Sequence, residues 1–258
     1  MIPKERTLLI GMVHLLPLPG SPQWGGSMAD IRRSATRDAT RLLEGGCDAL
    51  IVENMGDVPY LRGSVHPETT AAMVLPTADV VALGAPVGVQ VLAGANRAAL
   101  GVATASGATF IRVEGFAYGH LADEGWMDAC AGPLLRARAA LNANVAIWAD
   151  IQKKHAAHAA TGDLSLSDLS QGAAFCGADV LVVTGKHTGQ AAQIADLTHA
   201  ATAGIPIAVG SGVTPSNAHE MATHANALIV GSYVKEDGDW RAPVSVSRVR
   251  TLKNALIE

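Results

Sequence analysis

Ile207-Ala208-Val209-Gly210-Ser211-Gly212-Val213-Thr214-Pro215 opens the stretch whose reading decides the fold, and Ala227-Leu228-Ile229-Val230-Gly231-Ser232 closes it. Each apolar run suits a short strand buried on both faces. Each run ends in Gly-Ser. Thr214 followed by Pro215 reads as a helix start, because proline's fixed φ fits the first helical position. Backbone N–H groups of glycine turns, joined by a helix N-terminus, make an anion site. In (β/α)₈ barrels the loops after strands 7 and 8 are the frequent phosphate site. If the chain counts to eight, Gly210, Ser211, Gly212, Gly231 and Ser232 are phosphate-binding.

Working outward, apolar runs predict six earlier strands at 7–14, 48–53, 86–92, 109–114, 144–150 and 179–184. Amphipathic or apolar segments predict helices at 30–44, 68–83, 97–106, 127–141, 167–176, 191–203 and 244–257, with one more after Thr214. Pro76 is expected to kink or divide the second helix, and Gly132-Pro133 to interrupt the fourth. Asn96 can cap the third, and Ser165 or Ser167 the fifth. The stretches 15–26, 54–67 and 115–125 read as long loops. Gly-Cys-Asp-Ala, Gly-Ala-Thr-Phe, Gly-Ala-Asp-Val and Ala-Asn-Ala-Leu precede strands 2, 4, 6 and 8 as a repeated turn. The count is eight strand–helix units without a composition break: one (β/α)₈ TIM barrel over residues 1–258. An open doubly wound sheet would leave the paired Gly-Ser turns unexplained.

Composition agrees. A chain of 258 residues is ordinary for such a barrel. Apolar residues make up 49% and charged residues only 16%, which implies much buried surface and a homo-oligomer. A net charge of −4 offers no basic footprint for nucleic acid. Cys47, Cys130 and Cys176 lie far apart without metal spacing, so reduced thiols and a cytoplasmic setting are expected. No signal peptide or transmembrane segment is read. The apolar region 71–95 contains Pro76, Asp79, Gly84 and Pro86, and divides into a helix and a strand.

Barrel chemistry gathers at the C-terminal ends of the strands. These ends carry His14, Glu53, Gln90, Glu114, Asp150 and Thr184, polar residues closing apolar runs. Burying such carboxylates without partners is costly, so a functional face is the economical reading. Asp150 is the expected proton mover, kept ionised by Lys153, Lys154 and His155 after it. Glu53, Glu114, His14 and Lys154 join it as catalytic candidates. Glu53 and Glu114 could instead neutralise Arg112. Asn54, Gln90, Asn96, Thr184 and Gly185 are expected to contact substrate. No cofactor is certain; the carboxylates with His14 could hold Mg²⁺ or Mn²⁺, although no close ligand motif is present.

At Gly11-Met12-Val13-His14-Leu15-Leu16-Pro17, Val52-Glu53-Asn54-Met55-Gly56-Asp57, Phe110-Ile111-Arg112-Val113-Glu114, Ala149-Asp150-Ile151-Gln152-Lys153-Lys154-His155 and Val209-Gly210-Ser211-Gly212 the chain resembles the BtpA family. The resemblance covers nearly the whole length and implies a phosphate-binding barrel of the SgcQ-like kind. The chain departs from the family pattern at Gly94-Ala95-Asn96 and Glu114. Two functions follow as expectations. One is an enzyme, an isomerase, lyase or glycosidic-bond hydrolase acting on a small phosphorylated metabolite. The other, implied by the family's named role, is a non-catalytic biogenesis factor for photosystem I-like membrane complexes.

Overall fold

The apolar runs pair side by side and in parallel, in chain order, until the last meets the first. The computed structural model describes residues 6–153, 155–185 and 192–256. Its strands are β1 (Leu8–His14), β2 (Ala49–Glu53), β3 (Val87–Gln90), β4 (Phe110–Val113), β5 (His120–Ala122), β6 (Gly125–Met127), β7 (Ala146–Asp150), β8 (Ala156–Ala157), β9 (Val180–Val183), β10 (Ile207–Val209) and β11 (Ala227–Val230). Eight of them close a barrel in the order β1-β11-β10-β9-β7-β4-β3-β2, while β6-β5-β8 form a small antiparallel sheet. The helices are α1 (Met28–Gly45), α2 (Pro67–Val81), α3 (Asn96–Ser106), α4 (Ala131–Ala140), α5 (Leu166–Phe175), α6 (Ile194–Ala201), α7 (Ala218–Ala222) and α8 (Val246–Asn254). The chain folds as a (β/α)₈ barrel.

Period-two alternation divides the strand residues between two apolar clusters. One lies between strands and helices and includes Leu9, Val13, Leu50, Val52, Val89, Ile111 and Val183. The other fills the barrel interior with Ile10, Met12, Ile51, Phe110, Trp148, Val182, Ala208 and Ile229. Phe110 and Trp148 stack there with ring centroids 4.4 Å apart. Gly88 leaves the room for that stack, since a Cβ on it would overlap the Phe110 ring. The same inward alternation, carried one step further up β1, β2, β3 and β7, reaches His14, Glu53, Gln90 and Asp150. The interior core is the floor on which the polar residues stand.

The repeated helix-to-strand turn has a physical cause. Gly46, Gly107 and Gly177 end helices at φ of 105°, 83° and 92°, in the left-handed region glycine favours. The polar residue two positions later then ties down a neighbouring strand. Asp48 accepts from Leu9 N at 2.9 Å and Asp179 from Ile147 N at 2.7 Å; Asn226, which follows His224-Ala225 rather than such a glycine, accepts from Ile207 N at 2.9 Å. Thr109 donates to Val87 O at 3.4 Å.

Several expectations are corrected. The 115–125 stretch is not a plain loop: it contributes β5 and the turn of the β5–β6 hairpin, and Met127 belongs to β6 rather than to a helix. Gly132-Pro133 interrupts nothing, because it lies in the first turn of α4, where a missing N–H leaves no helical bond unmade. Pro76 sits inside a continuous α2, with Thr77 Oγ1 bonding Met73 O at 2.7 Å across that turn. Thr214-Pro215 does not start a helix. Residues 215–217 form a turn, Asn217 N bonds Thr214 O, and α7 begins only at Ala218. Asn96 does not cap α3; it is the helix's first residue, and its side chain turns to β4. Ser165, not Ser167, caps α5, in a reciprocal capping box with Asp168. No described helix is long and apolar enough to cross a membrane.

Gly88→Ala is expected to cost about 1–3 kcal/mol, the usual penalty of overpacking. At roughly 2–4 °C per kcal/mol for a chain this size, Tm in thermal unfolding should fall by several degrees.

Candidate active site

Strand register sets the heights. His14 is level with Glu53 across β1 and β2, and Glu53 with Gln90 across β2 and β3. Arg112 and Glu114 stand two residues apart on β4 and just beyond it, so they share the inward side. Asp150 ends β7 and Thr184 follows β9. All line one cavity of about 510 Å³ at the C-terminal ends of the strands, together with Tyr60, Glu124, Lys153, the Gly210–Gly212 turn, the Gly231–Tyr233 turn and Arg248. Most of this ring was expected from the sequence. Lys153, one expected neighbour of Asp150, pairs elsewhere.

The partner of Asp150 is Arg112. Its Nε donates to Asp150 Oδ2 at 2.9 Å and its Nη2 to Oδ1 at 2.8 Å, with both residues 8% exposed. Burial alone would lower the arginine pKa, but Asp150 overrides it and the net shift is upward. Arg112 Nη1 also reaches Gly210 O at 3.5 Å. Lys153 turns the other way. Its Nζ lies 2.5 Å from Glu124 Oε2, 3.7 Å from Glu114 Oε2 and 4.0 Å from Asp123. Burial works against its charge, and these carboxylates more than restore it.

Glu114 is the strained member. Burial pushes its carboxyl up to about 7, Lys153 opposes the shift, and the charge of Asp150 adds to it. His14 goes the other way, down to about 4, through burial and the charge of Lys235. Its Nδ1 lies 3.3 Å from Trp240 O. A carbonyl only accepts, so Nδ1 carries the proton of the neutral ring. The Nε2 lone pair then faces the cavity, 3.6 Å from Glu53 Oε2. Burial, followed by the charges of Glu53, Asp57, Glu114 and Glu124, raises the Tyr60 phenol.

The opposite wall is made of turns. Gly210 has no room for a side chain: a Cβ would lie 2.6 Å from Thr184 and Val182 and 2.9 Å from Arg112 Nη2. Gly212 adopts φ 72°, which favours glycine. Behind Gly231 stands His14, 3.2 Å from where a Cβ would be. The chain after β11 is pinned to α1 by Lys235 Nζ on Asp38 Oδ2 at 2.6 Å, a pair 1% and 3% exposed. Arg248, from α8, donates through Nε to Tyr233 O at 2.6 Å and lies over the Tyr233 ring.

Three expected substrate contacts are not cavity residues. Asn54 is 1% exposed and fully occupied: it accepts from Leu92 N at 2.7 Å and donates to Asp57 Oδ2 at 2.9 Å. Asn96 donates to Glu114 O at 2.7 Å and to Cys130 Sγ at 3.2 Å, so it braces the Glu114 backbone. Gly185 is buried and does not line the cavity. Lys154, and with it Lys186 and His187, lies outside the described residues. Among the described residues no three His, Cys, Asp or Glu side chains converge as a metal site.

Among the cavity residues that were missed are Glu124 and Arg248. Glu124 arrives on the β5–β6 turn, which lies over the strand ends and is latched by Lys153. Its signal was Asp123-Glu124-Gly125 between two short half-apolar stretches, a hairpin pattern. Arg248 carried no signal, because a charge on an amphipathic helix ordinarily marks the solvent face.

Among solved structures, KGPDC from Streptococcus mutans aligns at TM-score 0.61 and 10% identity over 97% of this chain and 98% of its own. A 3-hexulose-6-phosphate synthase aligns at 0.58 and 16% over 97% and 100%. A phosphoribosyl anthranilate isomerase from Thermus thermophilus aligns at 0.58 and 16% over 97% and 98%. At these identities the likeness shows the fold. Sequence relatives are nearer. An uncharacterized mitochondrial protein of Caenorhabditis elegans is 41% identical over 95% of this chain and 91% of its own. The photosystem I biogenesis protein BtpA of Synechocystis is 36% identical over 96% and 88%. The family description "BtpA family" matches residues 4–258. With that span, and with relatives of this identity along almost their full length, the chain belongs to the BtpA family.

Proposed function

We propose that this protein is an enzyme that acts on a small phosphorylated metabolite, its phosphate held between the Gly210–Gly212 and Gly231–Ser232 turns. One observation carries the reading. The cavity cations on the carboxylate side are already neutralised, Arg112 by Asp150 and Lys153 by Glu124 and Glu114. Arg248 stands beside the Gly231 turn and, among the described residues, has no carboxylate partner. A cation next to the backbone of glycine turns is a phosphate environment, with the Gly210 N–H itself already given to Val183 O. The fold neighbours named for hexulose 6-phosphate and phosphoribosyl compounds support the same ligand class.

The reacting end of the substrate then faces the carboxylates. Glu114, poised at about 7, exists in both protonation states near neutral pH, which suits a general acid or base. His14 Nε2 offers a second proton acceptor. The Lys153 ammonium stabilises negative charge developing between them. Asp150 does not move the proton in this scheme; it fixes Arg112 and keeps it charged. Isomerisation, lyase chemistry and glycosidic-bond cleavage all use such a set. A non-catalytic assembly factor would tolerate changes at Glu114 and Arg248.

Arg248→Gln should weaken inorganic phosphate binding roughly 10- to 100-fold, the worth of a charged hydrogen bond of about 1.5–3 kcal/mol. Calorimetric titration checks this, and an unchanged affinity removes the phosphate assignment. Asp150→Asn strands a buried arginine and should cost about 3–5 kcal/mol, read as a Tm drop on the order of 10 °C. For Glu114 the sign follows from its raised pKa. In the unfolded chain the carboxyl ionises from about 4.5 upward, and in the folded chain only at about 7. Its penalty on stability is absent below the lower value, grows between the two and is complete above the upper one. Glu114→Gln should therefore raise Tm over wild type at pH 8 and not at pH 4.5, while abolishing turnover.

A further inference from the structure

Gln90 and Glu114 are 3% and 7% exposed, and both line the cavity. Gln90 Nε2 lies 3.5 Å from Glu114 Oε1, so the amide already directs its donor at the carboxylate. That leaves Gln90 Oε1 and Glu114 Oε2. Both are buried acceptors, and neither has a hydrogen-bond partner among the described residues. Lys153 Nζ, 3.7 Å from Glu114 Oε2, stands beyond hydrogen-bond length. The other buried polar side-chain atoms in this condition, His120 Nε2 and Ser170 Oγ, belong to residues that do not line the cavity. A buried acceptor left unmet costs about 1–3 kcal/mol. Two of them, one on β3 and one just beyond the adjacent β4, in one cavity wall, are a site for donors carried by a ligand.

We infer that Gln90 Oε1 and Glu114 Oε2 form a subsite for neighbouring hydroxyl groups, and that the substrate is accordingly a polyhydroxylated, sugar-type phosphate. The inference rests on the phosphate reading above only for the other end of the molecule. Hydroxyls fit better than an amine. A hydroxyl donates to an acceptor and also accepts, so it can satisfy Gln90 Oε1 and take a hydrogen bond from Lys153 together. An ammonium has no acceptor and would face the Lys153 ammonium as a like charge. A carboxylate or carbonyl would set acceptor against acceptor. Glu114 near neutrality matches the same partner, because each of its protonation states finds a complementary atom in a hydroxyl. Gln90 then selects the substrate by direct contact, while Glu114 both contacts it and moves the proton.

The test is calorimetric titration of the whole protein with glucose 6-phosphate, ribose 5-phosphate, butyl phosphate, glucosamine 6-phosphate, free ribose and inorganic phosphate. At least one of the two sugar phosphates should bind tenfold or more tightly than butyl phosphate. Gln90→Met should erase that difference and leave inorganic phosphate affinity unchanged. Equal binding of butyl phosphate and both sugar phosphates overturns the inference. So does glucosamine 6-phosphate binding more tightly than glucose 6-phosphate, a preference that survives in Gln90→Met, or no binding of any sugar probe. Failure of the phosphate reading looks different: free ribose and ribose 5-phosphate bind alike, inorganic phosphate does not bind, and Gln90→Met still abolishes the sugar signal. If Gln90→Met does not fold, the wild-type ranking of glucose 6-phosphate against butyl phosphate and glucosamine 6-phosphate decides.

Discussion

The buried pair of Arg112 and Asp150 holds the upper barrel together. It joins β4 to β7 by two parallel hydrogen bonds of 2.9 and 2.8 Å, and Arg112 reaches on to the Gly210 carbonyl after β10. Such a pair is poor evidence for stability, because two charges had to leave water to make it. Its value is positional. A guanidinium gripped at both ends has one orientation, and the glycine turn that rests on it is thereby placed. The lack of room at Gly210 is the same constraint seen from the turn's side.

From that pair the cavity divides electrostatically. On one side, Glu53, Glu114, Asp123, Glu124 and Asp150 outnumber Arg112 and Lys153, and burial, helped by the charges of Asp150 and Glu53 against the opposing Lys153 and Arg112, drives Glu114 toward neutrality. On the other side, backbone turns and Arg248 offer donors and positive charge. A ligand with an anionic end and a hydrogen-bond-donating end has one orientation in such a field. The β5–β6 hairpin sharpens the division. Latched by Lys153 on Glu124, it brings two further carboxylates over the acidic side only.

Chain-local signals carried a large part of this. Apolar runs of four to eight residues bounded by glycine are strands for a local reason, so all eight barrel strands were located to within two residues at either end. The polar residue closing each run was visible for the same reason. Pairings were not. Lys153, three residues after Asp150, pointed to itself as a partner, whereas it pairs with Glu124 and Asp150 is gripped by Arg112, 38 residues earlier on the neighbouring strand. Asn54 and Asn96 looked like ligand residues because they follow strand ends. They are absorbed by backbone groups that only the fold brings near.

The sequence by itself determined the count, the order and the inward set of residues, because strand alternation and helix stops depend on neighbours a few positions away. It also determined the turns, since Gly46, Gly107, Gly177 and Gly212 take backbone angles that favour glycine. Tertiary structure decided which charge meets which, which titratable group is desolvated, and which face of α8 looks inward. Those depend on distances between residues far apart in the chain. That is why Glu114 emerges as the group near neutrality, and why Arg248, unremarkable on its helix, stands beside the Gly231 turn.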